Sequence, residues 1–230
     1  MTTFTREHTP ADIVNIYPKA SDLFKKNRID FCCGGDRPLG EVFDKQKIDE
    51  DMILTKLNEN YTEWVSKGNQ AADWDAVSNT ELVDHIVYTH HAFLNEELPA
   101  LGQFVSKIFR VHGDHHPHLR ELHKLYNELK TELEAHLIKE ETEVFPLVKE
   151  YDENPSEELR NRIHAANGTL ENEHDHAGDI LKQIHTITGG FEPPQDACNS
   201  YRITYKRLAE LEEDTFQHIH LENNILFKRI

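Results

Sequence analysis

Two short segments share one pattern: His136-Leu137-Ile138-Lys139-Glu140 followed by Phe145, and His218-Ile219-His220-Leu221-Glu222 followed by Phe227. In each, an imidazole and a carboxylate stand four residues apart, and on an α-helix positions i and i+4 lie on the same face. Both groups of a pair therefore aim at one target, and imidazole with carboxylate is a ligand set for a transition metal. A further histidine precedes each pair at nearly the same interval, His91 before the first and His174 before the second. A duplicated helical hairpin carrying three ligands per copy is the simplest account.

The elements that must position these groups follow from apolar periodicity. One seam runs Leu122, Tyr126, Leu129, Leu133, His136, Glu140, Val144, Leu147 in steps of three and four, and another runs Leu208, Leu211, Thr215, His218, Glu222, Ile225. Two further seams carry His174, between Leu170 and Ala177, and His91 or His90, between Val87 and Leu94. Four helices thus each turn a histidine inward. A buried ionisable group persists only when paired, hydrogen-bonded or bound to metal, because leaving it bare in a core costs several kcal/mol. Four histidines and two glutamates exceed one tetrahedral zinc and supply too few carboxylates for a calcium or magnesium cage. Divided by the repeat, they give two histidines to each of two metals, with Glu140 and Glu222 able to bridge. Iron is the metal expected, as an oxo- or hydroxo-bridged di-iron centre with one position on each ion open to dioxygen or nitric oxide. Among the acidic neighbours Glu132, Glu141, Glu173 and Asp175, Glu132 is expected to orient a ligand or line a polar route, and Glu141 to lie on a solvated face. One mismatch stands out: His174 lies nearer the end of its helix than His218 lies to the start of the next.

The chain has 230 residues, of which 37% are hydrophobic, enough for a sizeable core. A formal charge of -17 argues against nucleic acid or an anionic membrane surface as partner. No apolar run reaches membrane-span length and Met1-Thr2-Thr3-Phe4 lacks a secretory h-region, so a cytoplasmic location is expected. Three cysteines make no disulfide framework. The architecture predicted is all-α, an up-down four-helix bundle with a small N-terminal helical domain. The bundle helices are expected at about 81–111, 118–150, 156–186 and 196–227, and short helices at 11–16, 19–27, 39–46 and 49–60. This divides the chain into a helical domain over 1–66, a polar linker over 67–77 and the bundle over 78–230. The first is too small to be stable alone and is expected to lean on the bundle or on a second chain, so a homodimer is an open expectation.

That small domain carries Asp30-Phe31-Cys32-Cys33-Gly34-Gly35. Adjacent cysteines suggest thiol or metal chemistry, since a vicinal disulfide is strained and labile, although free cysteines are also ordinary buried residues. Cys198, before the last helix, is expected to be structural. His112, His115, His116 and His118 fall in an expected loop, where they read as solvated surface.

With that segment, Asp84-His85-Ile86 through His91, His136 to Pro146, Glu173-His174-Asp175 and Leu221-Glu222-Asn223-Asn224, the chain resembles the repair-of-iron-centres family over essentially its whole length. The resemblance implies a hemerythrin-like bundle whose di-iron centre is held by His91, His136, Glu140, His174, His218 and Glu222, and it favours His91 over His90. It further implies that Glu132 and Glu173 line a polar passage, and that Cys32 and Cys33 act with the bundle in iron delivery or nitric oxide chemistry. The function implied is repair of iron-sulfur clusters damaged by oxidative or nitrosative stress, with damaged iron-sulfur proteins as partners. A hemerythrin-like dioxygen or nitric oxide carrier or sensor, and a nitric oxide reducing enzyme, are the competing readings. A dedicated enzyme is the less favoured of these.

Overall fold

The structure is a computed structural model that describes residues 2–230, so Met1 of the predicted 1–66 segment lies outside it. Four short helices come first: α1 Pro10–Ile16, α2 Ala20–Lys26, α3 Leu39–Gln46 and α4 Glu50–Ser66. Four long ones follow: α5 over 79–112, α6 over 118–153, α7 Glu157–Ile187 and α8 over 199–229. No strand occurs among the described residues.

Local chemistry sets the helix starts. Asp49 accepts from the Met52 N–H at 3.0 Å to open α4, and Ser156 accepts from the Leu159 N–H at 3.2 Å to open α7. At α5, Ser78 and Glu81 form a reciprocal capping box that satisfies two otherwise orphaned amides. The predicted helix 49–60 runs on to Ser66, because Tyr61 and Trp64 pack against Phe4 and Tyr17 with ring centroids 4.9 to 5.6 Å apart. Helix α8 begins at Asn199 rather than 196. This shortens the mismatch between His174 and His218, and the loop over 188–198 takes up the remainder.

The long helices pack in sequence, α5 on α6, α6 on α7 and α8 back on α5, which is the up-down arrangement. Their apolar side chains form two clusters. One joins Leu94, Leu98, Tyr126 and Leu208 to Phe4, Phe24, Phe31 and Leu39 of the N-terminal helices in a single core. The other gathers Leu82, Ile86, Phe145, Ile163, Leu170 and Leu226 at the opposite end. The buried histidines and glutamates occupy the layer between them.

The N-terminal helices are tied to α7 and α8 by polar bonds as well. His220 donates from Nδ1 to the Phe31 carbonyl at 3.0 Å, and Asn224 donates to the Cys32 carbonyl at 2.8 Å. Burial holds His220 in its neutral form, with its pKa pushed down to about 4. Lys182 reaches Asp30 at 3.0 Å, and Phe31 meets Phe216 edge-on at 6.2 Å. No helix among the described residues is long and apolar enough to cross a membrane.

Candidate metal centre

Three of the four bundle helices change pitch where they carry a site residue. Val87–His91, Glu140–Val144 and Glu222–Leu226 are π-helical turns. Their signature bonds run from Ala92 N–H to Val87 O, from Phe145 N–H to Glu140 O and from Phe227 N–H to Glu222 O. A π-turn widens the helix by one residue and swings the following side chains, a feature that concentrates at functional sites. The sequence holds a trace of it in the spacing of Glu140 and Phe145, repeated by Glu222 and Phe227. Periodicity alone missed it.

The structure brings six of the sequence-predicted residues together: His91 from α5, His136 and Glu140 from α6, His174 from α7, and His218 and Glu222 from α8, all buried. Their donor atoms divide into two groups that share both carboxylates. In the first, His91 Nε2 lies 3.2 Å from His218 Nε2 and 3.3 Å from Glu140 Oε2, and His218 Nε2 lies 2.9 Å from Glu222 Oε1. In the second, His136 Nε2 lies 3.0 Å from His174 Nε2 and 3.3 Å from Glu140 Oε1, and His174 Nε2 lies 3.1 Å from Glu222 Oε2. Each carboxylate therefore turns one oxygen to each histidine pair. Metal bonds of about 2.0–2.2 Å put donors at right angles about 3 Å apart, which is the spacing found.

Which nitrogens carry protons follows from the outer contacts. His91 Nδ1 lies 2.8 Å from Glu141 Oε1, His136 Nδ1 2.8 Å from Glu173 Oε2, and His174 Nδ1 3.0 Å from Asn223 Oδ1. An Nδ1–H that donates to such an oxygen leaves the Nε2 of the neutral ring as a bare lone pair. Three of the four converging Nε2 atoms are set in this way, and both oxygens of Glu140 and Oε2 of Glu222 are buried without a hydrogen-bond partner. Buried acceptors facing acceptors are costly unless a cation sits among them. The donor set fits a pair of metal ions, and the fit does not depend on the sequence motif.

The electrostatics point the same way. Burial and the adjacent Glu222 push the Glu140 carboxyl up, but His136 and His91 outweigh them and hold it below its ordinary value. Burial likewise opposes ionisation of Glu222, yet His218 and His174 keep it well below the usual carboxylate range. Burial alone would lower His136, and Glu140 instead raises it to about 9, so the buried carboxylate calls for a cation beside it, either a second proton on His136 or a metal ion. The two carboxylates are thus anions in a dry layer, as a cation site requires.

Sequence expectations about the neighbours are partly overturned. Glu141 is exposed as expected, yet from that face it also bonds to His91, where the π-turn beginning at Glu140 brings it toward α5. Glu132, read as a partner of the ligand one turn above it, instead holds His176 of α7 at 3.2 Å. Glu173 is the residue that reaches His136, and it also pairs with Lys139. Glu132 and Glu173 do line a common cleft of about 430 Å³ between α6 and α7, whose walls include His136, His174 and His176. Asp175 faces a different cleft, with Cys33, Gly34 and Arg37. His90 is buried but turned aside, its Nδ1 donating to Asp214 at 2.9 Å.

Cys32 and Cys33 lie outside this centre, in a tight turn whose amides of Cys32, Cys33 and Gly34 all donate to Asp30 Oδ1 at 3.1 to 3.2 Å. Their sulfurs are 3.7 Å apart, and the Cys32 thiol is raised well above its ordinary value by its bond to Cys33, by burial and by Asp30. Cys33 rests against Gly178, one helical turn beyond His174. Gly35 is required here, since a Cβ on it would fall 2.3 Å from the Phe31 carbonyl oxygen. Cys198 precedes α8, exposed, with its sulfur 3.2 Å from His112 Nε2. Of the histidines expected in a loop, His112 instead ends α5 and His118 opens α6, where it is partly buried and bonds to Tyr201 and Tyr205.

Comparison with known proteins agrees with this architecture. Residues 82–230 match the hemerythrin HHE cation binding domain, and residues 6–61 match a domain of unknown function, DUF542. The chain is 34% identical over 227 residues to the iron-sulfur cluster repair protein ScdA of Staphylococcus epidermidis, covering 98% of this chain and 99% of that protein. It is 34% identical over 224 residues to the iron-sulfur cluster repair protein YtfE of Enterobacter sp., covering 97% and 96%. A YtfE protein of Escherichia coli shares 33% identity over the same length.

Proposed function

Because this chain belongs to the family of iron-sulfur cluster repair proteins, with a hemerythrin HHE domain over its helical bundle, we propose that it repairs iron-sulfur clusters damaged by oxidative or nitrosative stress from a di-iron centre. What supports this above all is that two buried carboxylates each offer one oxygen to each of two histidine pairs. His91 and His218 would hold one iron, His136 and His174 the other, and Glu140 and Glu222 would span both beside an oxide or hydroxide bridge. When bound, the pair supplies ferrous iron for clusters that have lost theirs and an open position for nitric oxide or dioxygen.

The chain's own residues make such iron releasable. Only two imidazoles would hold each position, beside the shared carboxylates of Glu140 and Glu222. Glu173, pulled below its ordinary pKa by His136 and Lys139 against the effect of burial, keeps a negative charge in the cleft beside His136. Glu132 and His176 extend that polar wall toward solvent, which makes the cleft the route for a hydrated cation. Cys32 and Cys33 are the redox or iron-accepting groups of the N-terminal region, with their sulfurs 3.7 Å apart, and the setting is the cytoplasm. The partners are damaged iron-sulfur proteins, engaged by the monomer or a homodimer, and no dedicated catalytic turnover is required.

Metal analysis joined to Mössbauer spectroscopy should find two irons per chain in a coupled pair. The iron-loaded protein, added to a hydratase whose cluster nitric oxide has damaged, should restore activity beyond an equal amount of free ferrous iron. Stoichiometric zinc without iron, or recovery no better than with free iron, would remove the proposal.

A further inference from the structure

Three of the four site histidines have a direct oxygen partner at Nδ1, and the fourth does not. His218 Nδ1 is buried with no hydrogen-bond partner. Two other buried polar atoms are left in the same condition on the same face of α8: Asp214 Oδ2, one turn before His218, and Thr215 Oγ1, three residues before it. The other oxygen of Asp214 accepts from His90 Nδ1 at 2.9 Å, and the His90 ring lies parallel to that of His218, 5.7 Å away at an interplanar angle of 5°. His90 thus closes the space beside His218 while anchoring Asp214 from α5.

We propose that Asp214 is the positioning residue for His218, acting through one buried water that Asp214, Thr215 and His218 hold between them. The hydrogen bonds balance: the water accepts from His218 Nδ1–H, donates to Asp214 Oδ2 and shares its second proton with the Thr215 hydroxyl. Three polar partners are what a buried water ordinarily has. The arrangement fixes the His218 ring with its Nε2 lone pair toward Glu222, as Glu141, Glu173 and Asn223 do directly for the other three. It also gives a structural role to His90, which periodicity left equivalent to His91. The position held by His91 and His218 is therefore the only one with a water-mediated outer contact, so the two positions are chemically unlike despite the repeat in the ligands.

This inference rests on the metal reading of the site, and its test separates the two. The full chain is loaded with cobalt(II), its metal content measured, and the exchangeable imidazole N–H resonances shifted by the paramagnetic ions are recorded by proton NMR. Four are expected. Asp214→Ala should lose one of the four to fast exchange and release cobalt to a chelator about tenfold faster, the lower end of the effect of removing an outer partner. Asp214→Asn, which keeps an oxygen in place, should restore that resonance, and Glu141→Gln should alter a different one. Thr215→Val, nearly the same shape, should raise the exchange rate of the resonance that Asp214→Ala removes. It decides the matter should Asp214→Ala fail to fold, because an unchanged set of four in Thr215→Val then refutes the role. Four unaltered resonances in Asp214→Ala, or four that change together, overturn the assignment to Asp214. A chain that binds no pair of metal ions overturns the metal reading itself.

Discussion

Lowering the pH from 7 to 5 should loosen the hold of the N-terminal helices on the bundle through one residue, His220. Its ring sits between the Phe31 carbonyl and the Asn15 amide, buried, and burial lowers its pKa from 6.5 to about 4. A histidine depressed in the folded state is protonated first in the unfolded chain. Its contribution is therefore complete above the unfolded value of 6.5 and is lost as pH falls toward the folded value of about 4. At about 1.4 kcal/mol per pKa unit the whole effect is about 3 kcal/mol, of which about 2 kcal/mol disappears between pH 7 and 5. The assay is urea unfolding of the wild type and His220→Gln at both pH values under identical metal conditions, so that titration of the other buried histidines cancels between the two proteins. Glutamine can still donate to Phe31 but carries no proton equilibrium in this range. The wild type should be the more stable at pH 7, and the gap should close by about 2 kcal/mol at pH 5. An equal gap at both pH values would refute the reasoning.

Glu140→Ala should strip a ligand from both positions and bring bound metal from two ions per chain to below one, whereas His91→Ala should leave closer to one; metal analysis after desalting distinguishes them. Gly35→Ala drives a Cβ onto backbone rather than onto a yielding side chain, so it should cost about 2 kcal/mol or more and expose the N-terminal region to limited proteolysis. Ser78→Ala breaks the capping box of α5 and should lower stability by about 1 kcal/mol in urea unfolding, with metal content unchanged.

The bundle was legible because burial writes itself into period: Leu122, Tyr126, Leu129 and Leu133 lead in unbroken steps to His136 and Glu140, and an ionisable group on such a stripe has few reasons to be there. The start of α5 was legible to within two residues, expected near 81 and found at Asn79 behind the Ser78–Glu81 capping box. What periodicity could not supply was anything that depends on a change of period. The π-turns rotate Glu141 onto His91, so a residue that regular helical geometry sends to solvent becomes the partner of a site histidine. Contacts between helices were equally hidden. Glu173 meets His136 and Asp214 meets His90 across gaps that no single-helix wheel contains. The extra turn of α4 exists because Tyr61 and Trp64 find Phe4 and Tyr17, partners far away in the chain.

The sharing of Glu140 and Glu222 makes the two groups depend on each other. Neither group is complete by itself, since both of its carboxylate donors come from the same two side chains as those of its twin. Were two ions held there, each would depend on the same two carboxylates as the other. Loss of either carboxylate should therefore weaken both groups at once, whereas loss of one histidine should weaken chiefly its own.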